Sequence, residues 1–133
     1  MTPFTETELA YLTGERRLGR LATVGPDGMP HLAPVGWSYN ADLATIDIGG
    51  HDFAHTRKFR DVVRTGRAAI VIDDVQPPWR PRGVEVRALA EAIIGPPALI
   101  RLHPQRIVSW GLESPEVSGR YARDVAPTGQ GGD

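Results

Sequence analysis

Val84-Glu85-Val86-Arg87-Ala88-Leu89-Ala90-Glu91-Ala92 decides the fold class of this 133-residue chain. Residues 84, 86, 88, 90 and 92 are all apolar, while Glu85, Arg87 and Glu91 mark the opposite side. A period of two sends alternate side chains to the two faces of a pleated strand, so the stretch reads as a half-buried β-strand. Upstream, Ala68-Ala69-Ile70-Val71-Ile72 has no polar face and reads as a buried central strand. Between them, Asp73 to Gly83 holds three prolines and is expected to be a loop. Downstream, Pro96-Pro97 breaks the chain, and Ile100 to Leu112 supplies one or two strands interrupted at Pro104.

Toward the N-terminus, Thr5-Glu6-Thr7-Glu8 has the form of a capping box ahead of a short helix that Gly14 stops. Three strand-like segments follow, Leu18 to Val24, His31 to Tyr39 and Leu43 to Ile48. Gly25-Pro26-Asp27-Gly28 and Asn40-Ala41-Asp42 link them so tightly that the strands must run antiparallel. Asp52 to Thr65 is helical, with Phe59, Val62 and Val63 as its apolar stripe. Arg57, Lys58, Arg60, Asp61 and Arg64 lie mostly off that stripe, Asp52 or Thr56 serves as the N-cap, and Gly66 ends the helix. Six or so short strands joined by turns make a mainly β protein, a closed or nearly closed barrel with two short helical insertions. Residues 1–126 are expected to form one domain and 127–133 a disordered tail, since Gly-Gln-Gly-Gly offers nothing to bury.

Composition excludes several classes of function. Fifteen basic and sixteen acidic residues nearly cancel, so no bulk attraction to nucleic acid or membrane is expected, and any electropositive site is local. Aromatic residues are few, and His31, Trp37 and Tyr39 lack the arginine neighbours of a single-strand-binding face. The chain has no cysteine, which rules out thiolate chemistry, disulfides and cysteine zinc sites. No apolar run approaches the roughly 20 residues of a membrane span, and the first residues are polar and acidic, unlike a signal peptide. A cytoplasmic location is expected. Lysine occurs once while arginine, alanine, glycine and proline abound, the mark of a GC-rich bacterial genome.

Hydrolytic chemistry is poorly supported. His31, His51, His55 and His103 form no helical metal motif, and no serine sits in a nucleophile elbow. No side chain is assigned a catalytic role. What remains is binding. His55-Thr56-Arg57-Lys58-Phe59-Arg60 opens a helix just after Gly49-Gly50, so free N–H groups, the helix dipole and basic side chains converge on one place. Read alone, such a turn is a solvated face. Together with the Trp79-Arg80-Pro81-Arg82-Gly83 segment it suits a phosphorylated planar cofactor, because phosphate oxygens take Arg and Lys donors. Pro34, Gly36 and Gly49 would let backbone approach a flat ring. Trp79 is either a lid beside Arg82 or a loop anchor, and Trp110 is expected in the core or a subunit interface.

These residues carry a resemblance. Arg20-Leu21-Ala22-Thr23-Val24, the turn from Pro26 to His31, and Pro34-Val35-Gly36 are followed by Thr56 to Val62, Trp79 to Val86 and Arg106 to Leu112. In that order they resemble the pyridoxamine 5′-phosphate oxidase-like split-barrel superfamily, in particular its small branch of coenzyme F420-dependent oxidoreductases. The resemblance implies a six-stranded antiparallel split β-barrel that works as a homodimer, with cofactor sites at the subunit interface. It implies that His55, Thr56, Arg57 and Lys58 meet the cofactor's phosphate, that Pro34, Val35 and Gly36 border its ring, and that the end of the third strand at Gly49 does too. The expected activity is hydride transfer between F420 and a small unsaturated organic substrate. FMN-dependent oxidase or flavin reductase chemistry, or a non-catalytic flavin carrier, are the alternatives on the same fold. His55 stands where relatives often have Lys or Arg, and the chain lacks the C-terminal extension that pyridoxamine phosphate oxidases use on substrate.

Overall fold

The computed structural model describes residues 2–112 and 119–126. The expected tail at 127–133 lies outside them. Among the described residues the order is α1 (Glu6–Thr13), β1 (Gly19–Val24), β2 (Pro30–Val35), β3 (Trp37–Asn40), β4 (Thr45–Ile48), α2 (Arg57–Thr65), β5 (Arg67–Gln76), β6 (Arg80–Ile93), β7 (Leu99–Trp110) and β8 (Arg120–Asp124). A 3-10 turn over Phe53–His55 leads into α2. Every strand pairing is antiparallel, in the order β2-β1-β5-β6-β7-β4-β3, with β8 added to β7.

The two ends of that path, β2 and β3, are neighbours in the chain, separated only by Gly36. One bent segment therefore supplies both edges of the sheet, β2 pairing with β1 and β3 with β4. The sheet curls into a split barrel, and counting the bent segment once and leaving β8 aside gives the six expected strands. β4 and β8 share one side of β7, at Ile100–Leu102 and at Arg106–Trp110 respectively. The interior is aliphatic: Leu21, Ile46, Ile48, Ile70, Ile72, Val84, Val86, Ile100, Leu102 and Ile107 are all fully buried. The alternation read from 84 to 92 holds, with Val84, Val86, Ala88 and Ala90 inside and Leu89 exposed.

Two proline-based expectations are overturned. Asp73 to Gly83 is not a loop but the far end of a hairpin, with Asp74 opposite Arg82, Val75 opposite Pro81 and Gln76 opposite Arg80. The β6–β7 ladder ends at Gly83–Trp110, so Pro81 sits on a free edge, where its missing N–H disrupts no second ladder. Pro104 does not interrupt β7 either. Arg87 faces Arg106 while Ala88 faces Pro104, leaving Gln105 as the extra residue of a β-bulge that accommodates the proline. The segment from His31 to Tyr39, expected as one strand, is two because it changes partners at Gly36. β8 was not expected at all: Arg120-Tyr121-Ala122-Arg123-Asp124 is polar, as an edge strand is allowed to be.

The capping box is present, the Glu8 N–H donating to Thr5 Oγ1 at 3.1 Å and the Thr5 N–H to Glu8 Oε1 at 2.9 Å. Glu8 does more than cap. Its carboxylate is buried and receives Ser109 Oγ at 2.6 Å and both terminal nitrogens of Arg123 at 2.9 and 2.6 Å, which pins α1 to β7 and β8. Trp110 is half-buried and lies over Gly83, where an added Cβ would stand 2.8 Å from Trp110 Cζ2, 2.8 Å from the Ile72 carbonyl oxygen and 2.7 Å from Asp73 Cβ. Two of those neighbours belong to the backbone or its Cβ and have little room to yield. Gly83→Ala is expected to destabilise the protein by about 1–3 kcal/mol, read as a lower urea midpoint with an unchanged far-UV spectrum in native buffer.

Candidate functional site

Helix α2 is short, and its two ends are set by sequence chemistry. Of the two N-cap candidates Thr56 takes the role: its backbone is extended and its hydroxyl accepts from the Phe59 N–H at 3.3 Å. Gly66 closes the helix in the left-handed conformation, its N–H donating to the Val62 carbonyl oxygen at 2.8 Å. The helix packs across β1, β6 and β7, burying Phe59 and Val62. Val63, expected on the apolar stripe, is exposed, and Asp61, expected off it, is buried.

At about 100° per residue, residues 57, 60 and 64 fall within about 60° of one another on the outer side. Lys58 is one step toward the protein, its ammonium 5.8 Å from the centre of the Phe53 ring. The first turn contains no acidic residue. Neither Arg57 nor Lys58 has a carboxylate partner among the described residues. Their N–H groups are first-turn donors without a helix carbonyl to bond. Chemically this is a donor set for phosphate: two cations of different shape, two backbone N–H groups and the positive end of the helix.

The other expected phosphate ligands are placed differently. The Thr56 hydroxyl and N–H both donate to the Phe53 carbonyl oxygen, at 2.7 and 3.1 Å, within the turn itself. His55 is exposed and its Nδ1 lies 2.7 Å from Asp52 Oδ1. Val35 is buried, whereas Pro34 and Gly36 are exposed at the β2–β3 bend. The β3–β4 register, Trp37 opposite Ile48, brings Gly49 next to Gly36. Trp79 is exposed at the tip of the β5–β6 hairpin, about 30 Å from Gly66 at about 3.3 Å per residue of strand. Arg82 lies on the same hairpin, forked onto Asp74 at 2.8 and 3.1 Å. In a single chain, therefore, the bend and Gly49 form one group, the head of α2 a second, and the hairpin residues a third.

Two carboxylates, buried Asp61 and half-buried Asp74, organise the helix and the hairpin, and sequence reading assigned neither. Asp61 accepts from Thr23 Oγ1 at 2.8 Å and from His31 Nδ1 at 2.8 Å, with Arg64 Nη1 at 3.4 Å, so it ties α2 to β1 and β2. Burial alone would raise its pKa, but the hydrogen bonds from His31 and Thr23 outweigh that and hold the carboxyl below its ordinary range. An ionised carboxylate only accepts, which fixes the proton of His31 on Nδ1 and leaves Nε2 directed at Arg57 Nη1, 3.5 Å away. Asp74 is held at about 2, first by the Arg82 hydrogen bonds, against desolvation, with help from Tyr11 and Arg17. Tyr11 donates to Asp74 at 2.8 Å, and its ring carries Arg17 at 4.0 Å and Arg82 at 5.1 Å. A carboxylate-bearing helix position next to Val62 was the available signal for Asp61; its partners lie 30 and 38 residues away.

A split barrel whose bent edge strand and basic helix head suit a phosphorylated ligand defines the class. The chain belongs to the pyridoxamine 5′-phosphate oxidase family, which matches residues 5–125. It is 40% identical, over 92% of its length and 94% of the relative's, to the 5a,11a-dehydrotetracycline/5a,11a-dehydrooxytetracycline reductase of Streptomyces rimosus. Among solved structures it resembles a conserved hypothetical protein from Mycobacterium tuberculosis, with a TM-score of 0.71 and 20% identity across 96% of this chain and 95% of that one. It also resembles a protein named F420 reductase, with a TM-score of 0.57 and 19% identity across 74% of this chain and 94% of that one. No helix among the described residues is long and apolar enough to cross a membrane.

The depressed carboxyls give the protein a defined acid sensitivity. A carboxyl whose folded pKa lies below its unfolded value, about 3.9 for Asp, contributes stability above that value and loses it as pH falls through the folded one. The urea midpoint is therefore expected to fall between about pH 4 and pH 2 as Asp74 protonates, and to fall less over that window in Asp74→Asn. At pH 7, Asp61→Asn is expected to cost about 1–3 kcal/mol, measured by urea unfolding, because the bonds to Thr23, His31 and Arg64 lose their charged acceptor.

Proposed function

We propose that this protein is a coenzyme F420-dependent reductase acting on a carbon–carbon double bond of a polycyclic, tetracycline-like substrate. The observation that carries the reading is the 40% identity, over nearly the whole length of both chains, to a reductase of dehydrotetracyclines. The cofactor reading rests on the donor set at the head of α2 and on the sequence resemblance to the F420-dependent branch. F420, when bound, supplies the hydride through its deazaflavin ring, which is why the chain needs no acid–base dyad of its own.

The residues divide the work of holding that cofactor. Lys58 gives a compact charge and Arg57 a planar fork, and with their backbone N–H groups they hold the phosphate. Pro34 and Gly36, exposed at the bend, and Gly49 beside them keep bulky side chains away from the ring edge. Leu32, exposed on the same outward face of β2, adds apolar surface that excludes water. Trp79 and Arg82 come to the site from a second copy of the chain. A homodimer with the cofactor at its interface explains why the hairpin residues and the head of α2 lie apart in one protomer.

Titration of the purified protein with oxidised and reduced F420, and separately with FMN, tests the cofactor. Loss of the reduced-F420 spectrum in the presence of dehydrotetracyclines and a panel of enones tests the reaction. The expected result is F420 binding tighter than about 1 mM and turnover with the deazaflavin alone; a protein that purifies yellow with bound FMN overturns it. Lys58→Glu is expected to weaken F420 about 10- to 150-fold, or about 1.4–3 kcal/mol. Unchanged affinity in that folded variant returns Lys58 to a solvated surface role.

A further inference from the structure

The outer face of α2 carries a second basic surface that shares only Arg57 with the Lys58 site. Arg57, Arg60 and Arg64, with Pro26, line an open cleft of about 350 Å³ in which Asp61 also takes part. Lys58 does not line it. Residues three and four apart on a helix are direct neighbours, so like charges there repel and destabilise the helix. Three guanidiniums against one carboxylate leave the cleft a net charge of +2. That one carboxylate is already committed, its side chain 2% exposed, its Oδ2 held by Thr23 and His31 and its Oδ1 by Arg64.

The surroundings are built rather than incidental. Arg64 is anchored from behind, Nη2 donating to the Val24 carbonyl oxygen, and Arg60 Nη1 donates to the His55 carbonyl oxygen at 3.1 Å. Among the described residues Arg57 meets only His31 Nε2, at 3.5 Å. The His31 ring in turn occupies the space that a side chain at residue 25 would fill: a Cβ on Gly25 would stand 2.5 Å from His31 Cε1 and 3.0 Å from Nε2. A glycine, a buried aspartate and a tethered histidine thus support three arginines that line the cleft.

We propose that this cleft is a binding site for an oxyanion, phosphate or carboxylate, held by Arg57, Arg60 and Arg64. The fixed fork of guanidinium matches both chemistries, and a bound anion relieves the repulsion along the helix. The anion is either a separate small molecule or an anionic arm of a larger ligand whose phosphate sits at Lys58.

Titration of the full-length protein with inorganic phosphate, followed through the arginine Nε–Hε signals in ¹⁵N-labelled protein, tests this without any cofactor, so it stands or falls apart from the reductase reading. The expected result is saturable movement of the signals of Arg60 and Arg64, which line the cleft and take no part in the Lys58 site. Read at Arg57 with the neighbouring site removed by K58Q, affinity should fall about tenfold or more on adding R60Q/R64Q; read at Arg60 and Arg64, it should stay within about twofold of the parent in K58Q alone. Arg64 also holds the β1 end, so Arg60→Gln, whose one internal bond is to the His55 carbonyl, serves as the variant that keeps the fold; it should weaken phosphate about threefold or more. No saturable movement, or loss of binding in K58Q with retention in R60Q/R64Q, overturns the proposal. Titrating the same variants with F420 separates the two sources: weakened F420 in R60Q/R64Q identifies an arm of that ligand, and unchanged F420 identifies a separate anion.

Discussion

One constraint governs the rest of the molecule: a single segment, Pro30 to Asn40, has to serve as both edges of the sheet. Its first half hydrogen-bonds to β1 and its second to β4, so the chain must turn sharply between them, and it does so at Gly36. Curling the sheet in this way confines its two free edges to one short, proline-bearing segment, which limits the edge that must be protected. It also brings the ends of distant strands together, so that the β2–β3 bend and Gly49 lie side by side.

Within that frame, ionised carboxylates place the pieces that aliphatic packing leaves undetermined. Asp61 fixes α2 against β1 and β2, Asp74 fixes the Tyr11–Arg17–Arg82 stack, Asp47 receives Arg101 at 3.1 and 3.2 Å, and Glu8 joins α1 to β7 and β8. Each carboxyl titrates below its ordinary value, which requires that its hydrogen bonds more than offset its burial. Such pairs are weak sources of net stability but strongly penalise any arrangement that leaves one member alone. A barrel core of Ile, Leu and Val has many nearly equivalent packings; these four sites discriminate among them.

The central strands were legible because burial on one face imposes a period of two, and residues 84 to 92 obey it. The helix ends were legible because Thr56 and Gly66 act locally. What sequence concealed was whatever depends on a distant partner. Pro81 and Pro104 read as breakers until the free hairpin edge and the bulge at Gln105 show where each is tolerated. β8 has no apolar pattern because it lies at an edge and contributes mainly Arg123. Asp61 read as a surface residue because its partners, Thr23 and His31, lie 38 and 30 residues away in the chain. Of the candidate site, the basic head of α2 was recognisable from its own residues, whereas the division between Lys58 and the arginine face required knowing which way the helix is rotated.

The bond between Glu8 and Arg123 spans 115 residues, from the first helix to the last strand described here. During synthesis at about 5–20 residues per second, the glutamate leaves the ribosome several seconds before its arginine. Over that interval α1 carries an ionised group that burial would strand without its counter-charge, so the helix gains little by docking early. The pairs within the barrel strands, such as Asp47 with Arg101, are complete before Arg123 is made, so those strands are free to assemble first. Helix α1 is thus fully secured only once Arg123 arrives, although its Tyr11 can reach Asp74 on β5 well before then.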